Sequence, residues 1–510
     1  MSHSLVTPGA SFSARARRAV ADGELQLALR NLDVRLRTAG EFGARHPDLK
    51  DRAAGIRRET LSDLDGWLDT LQDSLEAHGA IVHRCASAGD ARDLIVGIAR
   101  EESARLAVKS KSMATEEIEL ADALEAAGVT TLETDLGEYI VQLAGERPSH
   151  IITPVIHKTL RQIAAVLADE AGAPLPVERE ALTAWVRDHL RACFLEADLA
   201  ITGANFAAAD TGTLVLVTNE GNGRLCTSLP RVQISVVPVE KVIPRLTDLA
   251  VLLPALTMSA TGQRLSNYLS LMTGPRRAGE VDGPERLHVV LLDNGRRRLL
   301  GTPYEEMLAC VRCGACLNVC PVYRQVGGHA YDSVYPGPMG KVLTPLLSEG
   351  RRGRDLPGAS TLCGACTEAC PVEIPLADLL VRLRADLRGR GAPQDAASPV
   401  PSMLAAHHDR RPGEGFPWPA STAPLRLGTP AGGRARRLAF AAWARLWSSA
   451  RGYRATLALA RTAARVPARG GWMRRAPGLH GWTRSRDLPV PAARPFRARW
   501  TARATGREQW

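Results

Sequence analysis

Seven of the ten cysteines crowd into Cys310–Cys370, and their spacing constrains this chain more than any other feature. They form two runs, Cys310-x2-Cys313-x2-Cys316-x3-Cys320-Pro321 and Cys363-x2-Cys366-x3-Cys370-Pro371. The first is the bacterial ferredoxin run. Three thiolates two residues apart share one tight loop and can hold three corners of an iron–sulfur cubane. The fourth, followed by proline, leaves that loop and in two-cluster proteins serves the other cluster. Gly314-Ala315 and Gly364-Ala365 leave room for backbone to approach the sulfides. The crossed assignment gives Cys310, Cys313, Cys316 and Cys370 to one 4Fe-4S cluster. It gives Cys320, Cys363 and Cys366 to a second, which is one thiolate short.

A complete second run would carry that thiolate three residues before Cys363, where Ser360 stands. The second cluster is then a cubane with Ser360 or water at its fourth iron, or a three-iron form. His329, in VGGHAYDSVYPGPMG between the runs, is another candidate ligand, although a turn or partner contact suits it better. Structural zinc sites pair two Cys-x2-Cys knuckles in fours, which a 4+3 pattern ending in Cys-Pro fits poorly. Cys85, Cys193 and Cys226 stand apart and read as small buried hydrophobes. Without a secretory apolar core at the N-terminus, the clustering points to metal chemistry rather than disulfides. The expected compartment is the reducing cytoplasm, with a peripheral position at the inner membrane surface as a variant.

No apolar run approaches the ~18 residues of a membrane-spanning helix; Leu246–Met258 comes nearest and is interrupted by Pro254. The first twenty residues are Ser/Arg-rich without an acid, like a mitochondrial transit peptide, but an ordinary helix capped near Ser11 or Ser13 is the better reading. The net charge of +11 conceals an asymmetry. Residues 431–510 hold eighteen arginines against Asp487 and Glu508, a net +16, so the other 430 residues carry −5. The chain is a mildly acidic body with a basic tail.

A length of 510 residues suggests two to four domains. Residues 1–65 read as a helical segment, and Asp63–His78 continues it with Leu64, Trp67, Leu68, Leu71 and Leu75 at helical period. From 66 to 300, short β-rich runs alternate with helical stretches. Strands are expected at Ala80–Val82, Val129–Leu132, Ile151–Val155, Thr213–Val217, Val232–Val237 and Leu287–Leu292. Helices are expected at Ala91–Ala107 and from Ser112 or Thr115 to Gly128. Such alternation predicts an α/β domain with a doubly wound, mostly parallel open sheet. Residues 301–390 hold the cysteine runs, 391–433 read as a Pro/Ala/Gly linker, and 434–510 as a basic, Arg/Trp-rich helical region.

At this point the motifs carry a resemblance. CVRCGACLNVCPVYRQVGGHAY followed by LCGACTEACPVEIPL is similar to the lactate-utilisation protein B family of iron–sulfur proteins. Upstream, SMATEEIEL, ETDLGEYIVQLAGERPSHIITPVIHK, ADTGTLVLVTNEGNGRL and ATGQRLSNYLSLMTGPRR resemble the lactate-utilisation domain; GWTRSRDLPVPAARPFRARW resembles the family's C-terminal segment. The resemblance spans roughly 65–510. It implies an open α/β fold of the sugar-phosphate isomerase and coenzyme A transferase type, followed by an α-helical two-cluster module. It implies an electron-transferring subunit of a three-protein system oxidising L-lactate to pyruvate, rather than a complete enzyme. The implied partners are a cysteine-rich-domain iron–sulfur protein, a second lactate-utilisation-domain protein and a downstream electron acceptor. The implied ligands are Cys310, Cys313, Cys316, Cys320, Cys363, Cys366 and Cys370.

Other candidates are less specific. Thr211–Arg224 brackets a strand with Gly-rich turns, where backbone N–H groups and Arg224 could hold a small carboxylate or phosphate; an Asn-Gly hairpin is the alternative. Asp135, Glu138, His150 and His157 could supply an acid/base pair, and the two histidines a metal site. Thr261-Gly262-Gln263-Arg264 is polar and distinctive. No strand–GxGxxG–helix is present, which argues against hydride transfer by this chain alone. Two further readings stand beside the electron conduit: an α/β domain that itself oxidises a 2-hydroxy acid, and a cluster-containing nucleic-acid-binding sensor using the Arg/Trp tail. Nucleic acid is not the expected partner; helix packing by Trp443 and Trp447 with arginines outward is.

Overall fold

The computed structural model describes residues 10–29, 46–263, 268–387, 434–465 and a few short stretches between 472 and 501. Two compact units emerge, Met1–Thr429 and Pro430–Trp510. The first is built on a six-stranded sheet of β1 (Ile81–Cys85), β2 (Leu106–Lys109), β3 (Thr130–Glu133), β4 (Leu199–Gly203), β7 (Val232–Pro238) and β10 (Arg286–Leu292). The strand order is β1-β10-β7-β4-β2-β3, and every pairing is parallel. Helices cover both faces, so the expected doubly wound α/β class is the observed one.

The sequence of β10 shows why. Leu287, Val289 and Leu291 pack with Leu64, Leu68, Leu71 and Leu75 of the Leu64–Ala77 helix. Val290 and Leu292 point to the other face, against Ile95 and Ile98 of the Ala88–Glu101 helix. A strand buried on both faces needs a continuous apolar run rather than alternation. The Ala88–Glu101 helix starts at a capping box, in which Ser87 Oγ accepts from the Asp90 amide at 3.2 Å and Asp90 accepts from the Ser87 amide at 3.0 Å.

A second, four-stranded sheet of β5 (Phe206–Ala208), β6 (Thr213–Thr218), β8 (Val242–Ile243) and β9 (Tyr268–Met272) has the order β8-β5-β6-β9. The expected strand Thr213–Val217 therefore exists but lies here, antiparallel to β5 and β9. The expected helix Ala91–Ala107 stops at Glu101, because Leu106–Lys109 is β2. The helix expected from Ser112 breaks into Met113–Glu117 and Leu120–Ala126, with Glu119 in the left-handed region at φ 52°. Ile151–Val155 forms turns instead of a strand. Pro154 has no N–H for a ladder, and its carbonyl accepts the Ser149 amide at 2.9 Å to close a loop.

That loop fastens the cysteine-bearing part of the unit to the α/β sheet. Tyr323 Oη donates to the Ser149 carbonyl at 2.7 Å, and the Gly328 amide donates to Ser149 Oγ at 3.1 Å. A Cβ on Gly328 would run into the Ser149 carbonyl. Gly328→Ala should therefore cost about 1–3 kcal/mol by overpacking, whereas Gly97→Ala, with open space around it in mid-helix, should be neutral or gain up to ~1 kcal/mol. Thermal unfolding of the two variants checks this contrast.

The N-terminal helices close over the same region. Arg57, from the Pro47–Ser62 helix, is 1% exposed and donates to the carbonyls of Val242 (2.8 Å), Ala309 and Leu308 (both 3.3 Å) and of Glu240. In the Phe12–Ala21 helix, Arg15 donates to the Ala330 carbonyl at 2.9 Å. In the second unit, helices Arg434–Trp447 and Ala450–Arg465 are followed by a short antiparallel pairing of Trp472–Met473 with Leu488–Pro489. The Trp443 and Trp447 rings lie 5.2 Å apart, tilted by 36°, and both stay exposed. The linker residues 391–433 lie outside the described residues.

Candidate metal centre

The two cysteine runs fold as one backbone design used twice. Arg312 and Leu362, each just before a cysteine, hold the left-handed region at φ 61° and 55°. Gly314 and Gly364, each just after it, hold φ 79° and 84° and open the short helices Ala315–Asn318 and Ala365–Glu368. Two successive left-handed turns swing Cys313 and Cys316, or Cys363 and Cys366, toward one side. Each run then ends with a backbone amide donating to the last sulfur: Tyr323 N to Cys320 Sγ at 3.5 Å, and Ile374 N to Cys370 Sγ at 3.3 Å. In this repeat the counterpart of Cys310 is Ser360, whose Oγ accepts the Leu362 amide at 3.2 Å.

The thiols fall into two electrostatic groups. Burial pushes the Cys313 and Cys316 thiols up, and Cys310 and Cys370 press in the same direction. Cys370 is pushed up to about 12 by burial and then by Cys310. Cys366 is raised by burial and then by Cys320, with Cys363 also in reach. Cys363 itself is exposed and held down, first by the Thr361 side chain. Cys310, Cys313, Cys316 and Cys370 thus gather in one place, and Cys320, Cys363 and Cys366 in another.

Buried cations surround both groups. Lys341 is fully buried, its Nζ 3.5 Å from Cys320 Sγ and 5.5 Å above the Tyr331 ring. Beside Cys310 stand Arg57, Arg312 and Lys241. The carboxylate among them is Glu240, paired with Arg312 at 2.9 Å and Arg296 at 2.6 Å. Burial alone would raise its carboxyl, but Arg296 and Arg312 overcome that and hold it at about 2. Arg296 in turn pairs with Glu117 at 2.7 Å, which accepts from Tyr335 Oη at 2.6 Å. Buried cations that outnumber their carboxylates need further negative charge nearby. Four thiolates around iron and sulfide would carry it, so the donor set and its surroundings fit an iron–sulfur cluster.

The remaining candidates separate. His150 is buried, accepts the Ile152 amide through Nδ1 at 3.0 Å and pairs through Nε2 with Asn318 Oδ1 at 3.2 Å, a structural role. His157 lies with Glu146 (2.7 Å) and His329, the two imidazole rings 4.4 Å apart. His329 meets the Arg147 carbonyl at 2.6 Å, and its electrostatic neighbours are His157, Glu146 and Lys158 rather than a cysteine. Asp135 caps the Leu136–Leu143 helix, accepting from Gly137 and Glu138 amides at 3.1 and 3.2 Å. Glu138 is buried 3.9 Å from Lys111 and pushed up to about 8 by that burial. Arg224 lies over the Tyr268 ring at 5.3 Å. Cys85 and Cys226 are buried and Cys193 partly so.

Four of the upstream motifs converge instead on one cavity of about 650 Å³ at the carboxyl ends of β2, β3, β4 and β7. Ser110–Ala114, Asp135–Gly137, Thr218–Glu220 and Thr261 with Gln263 all line it; Arg264 lies outside the described residues. Lys241 lines it too and was missed in the sequence. Its signal is a charged pair, Glu240-Lys241, inside the otherwise apolar VVPVEKVIP.

Residues 68–292 match the LUD domain, 306–374 the 4Fe-4S dicluster domain, and 417–505 the C-terminal domain of lactate utilisation protein B. Lactate utilization protein B of Oceanobacillus iheyensis is 41% identical over 476 residues, covering 93% of this chain and 91% of that protein. The chain belongs to the lactate utilisation protein B family. The Bacillus subtilis member is 45% identical over 73% of this chain and 77% of its own length. An Escherichia coli relative, named as the uncharacterized electron transport protein YkgF, is 43% identical over 79% of this chain and 86% of its own. A DUF162 protein structure from Deinococcus radiodurans overlaps 45% of this chain and 98% of its own, at 18% identity and a TM-score of 0.25. Like the sequence, the family member described here has no helix, among the described residues, long and apolar enough to cross a membrane.

Proposed function

We propose that the chain is an electron-transferring subunit of a system that oxidises L-lactate to pyruvate. Cys310, Cys313, Cys316 and Cys370 hold one 4Fe-4S cluster; Cys320, Cys363 and Cys366 hold a second, completed by Ser360 or water. The observation that carries the reading is the gathering of seven thiols into these two groups by one repeated turn. The match to the 4Fe-4S dicluster domain and the names of the relatives support it. Thiolate-held clusters supply one-electron chemistry whose potential follows net charge, hydrogen bonds and exposure.

The chain's own residues set those three quantities differently at the two groups. Cys313, Cys316 and Cys370 are buried, so water is kept from the first. Cys363 is exposed, which makes the second the face for a partner: the cysteine-rich-domain protein, the second lactate-utilisation-domain protein or a downstream acceptor. Anaerobically purified protein should carry about eight irons per chain if both are cubanes. A three-iron EPR signal in material without oxidative damage would select the three-iron form, and zinc without acid-labile sulfide would reject the reading.

Lys341 offers a sharper test. Its buried ammonium beside Cys320 favours the more negative, reduced state. Lys341→Met should move the second cluster to a more negative potential, followed by EPR-monitored redox titration. An unchanged potential with full iron content would remove Lys341 from this role.

A further inference from the structure

We propose that the cavity at the carboxyl ends of the parallel strands binds an organic carboxylate with an apolar body larger than a three-carbon acid, its carboxylate paired with Lys241. This rests on the reading above only in placing the site beside the first cluster.

Three observations carry it. Lys241 is 8% exposed and lines the cavity, yet among the described residues its ammonium has no hydrogen-bond or ion-pair partner. A buried ammonium is costly unless paired, and the negative groups near Lys241 are Cys310 and the adjacent Glu240, which Arg296 and Arg312 already share. Of the other cations at the wall, Arg312 is committed to Glu240 at 2.9 Å and Lys111 to the Ile152 carbonyl at 3.0 Å, while Arg179 is exposed to solvent. Asn222, also 8% exposed and on the wall, spends its amide on Thr134 Oγ1 at 3.3 Å and leaves its buried Oδ1 without a partner. That oxygen can accept from a hydroxyl on the ligand.

Size and lining select the class. A volume of about 650 Å³ lies within the roughly 300–1,000 Å³ of pockets that enclose drug-sized ligands. A three-carbon acid would leave most of it to water, against a wall that includes Ile140, Ile163, Leu167, Leu182 and Leu256. One buried, uncommitted ammonium matches one negative charge. Asp135, Glu220 and Glu240 on the same wall disfavour a phosphate dianion. Open parallel sheets hold ligands in this crevice, beyond the carboxyl ends of their strands.

The test uses the full chain, purified anaerobically, with iron and sulfide measured on every sample. Calorimetric titration compares L-3-phenyllactate, L-lactate and inorganic phosphate. Phenyllactate should bind about ten-fold or more tightly than L-lactate because its ring is buried, and phosphate should not compete. Lys241→Met should weaken phenyllactate about ten-fold or more. Ile163→Trp, which fills the apolar wall away from the ammonium, should weaken phenyllactate while sparing L-lactate; it carries the test if Lys241→Met loses iron. Protein with both clusters that binds neither acid, that binds the two equally, that prefers phosphate, or whose variants bind like the parent overturns the proposal. Cluster-free protein that still binds phenyllactate sustains it while ending the redox reading.

Discussion

Alanine in place of Cys316 or Cys370 should strip roughly half of the iron and acid-labile sulfide from the protein, one cluster of two, and abolish growth on lactate. On the proposed assignment the second group has three cysteines, so the loss of one from the first would look tolerable. Burial decides otherwise. Cys316 and Cys370 are 8% and 7% exposed, and no water can easily replace a missing thiolate there, whereas the second group opens to solvent at Cys363. Cys363→Ser, on the exposed side, should retain more iron than either. Unaltered iron and undiminished growth in Cys316→Ala would refute the assignment.

Glu240→Gln should destabilise the protein by about 3–5 kcal/mol, the cost of breaking a buried ion pair from one side. Glu240 is 1% exposed and balances Arg296 and Arg312, themselves 0% and 9% exposed. Glutamine keeps the shape and removes the charge, leaving Arg312 without its carboxylate and Arg296 with Glu117 alone. The exposed pair Arg245–Glu59, at 3.0 Å, provides the contrast; Glu59→Gln should cost about 0–1 kcal/mol. Denaturant unfolding of both variants under anaerobic conditions measures the difference, and equal midpoints would show that the network carries no such load.

The cysteine runs were legible because their chemistry requires fixed local spacing, and the strands β7 and β10 because burial on two faces forces apolar runs. What failed to show depends on distant partners. Ile151–Val155 has the composition of a strand, but its apolar side chains serve the seam with the cysteine-bearing residues; Ile151 belongs to that core. Thr213–Val217 is a strand whose sheet membership is set by β5 and β9, not by its own residues. β2 and β4 are four and five residues long, too short to stand out beside helices. Arg57 reaches Val242 across 185 positions, and nothing near residue 57 announces it. His157 and His150, seven apart, look like a pair; the fold gives His157 to His329 instead.

The repeated turn also tells how the molecule would come apart. Its two copies are alike in backbone yet unlike in shelter, one enclosed by Arg57 and the Pro47–Ser62 helix, the other bearing Leu362 and Cys363 on the outside. Air or a chelator meets the outer copy first. On the proposed assignment, a half-emptied protein that keeps the inner cluster is the product to look for when preparations bleach in two stages.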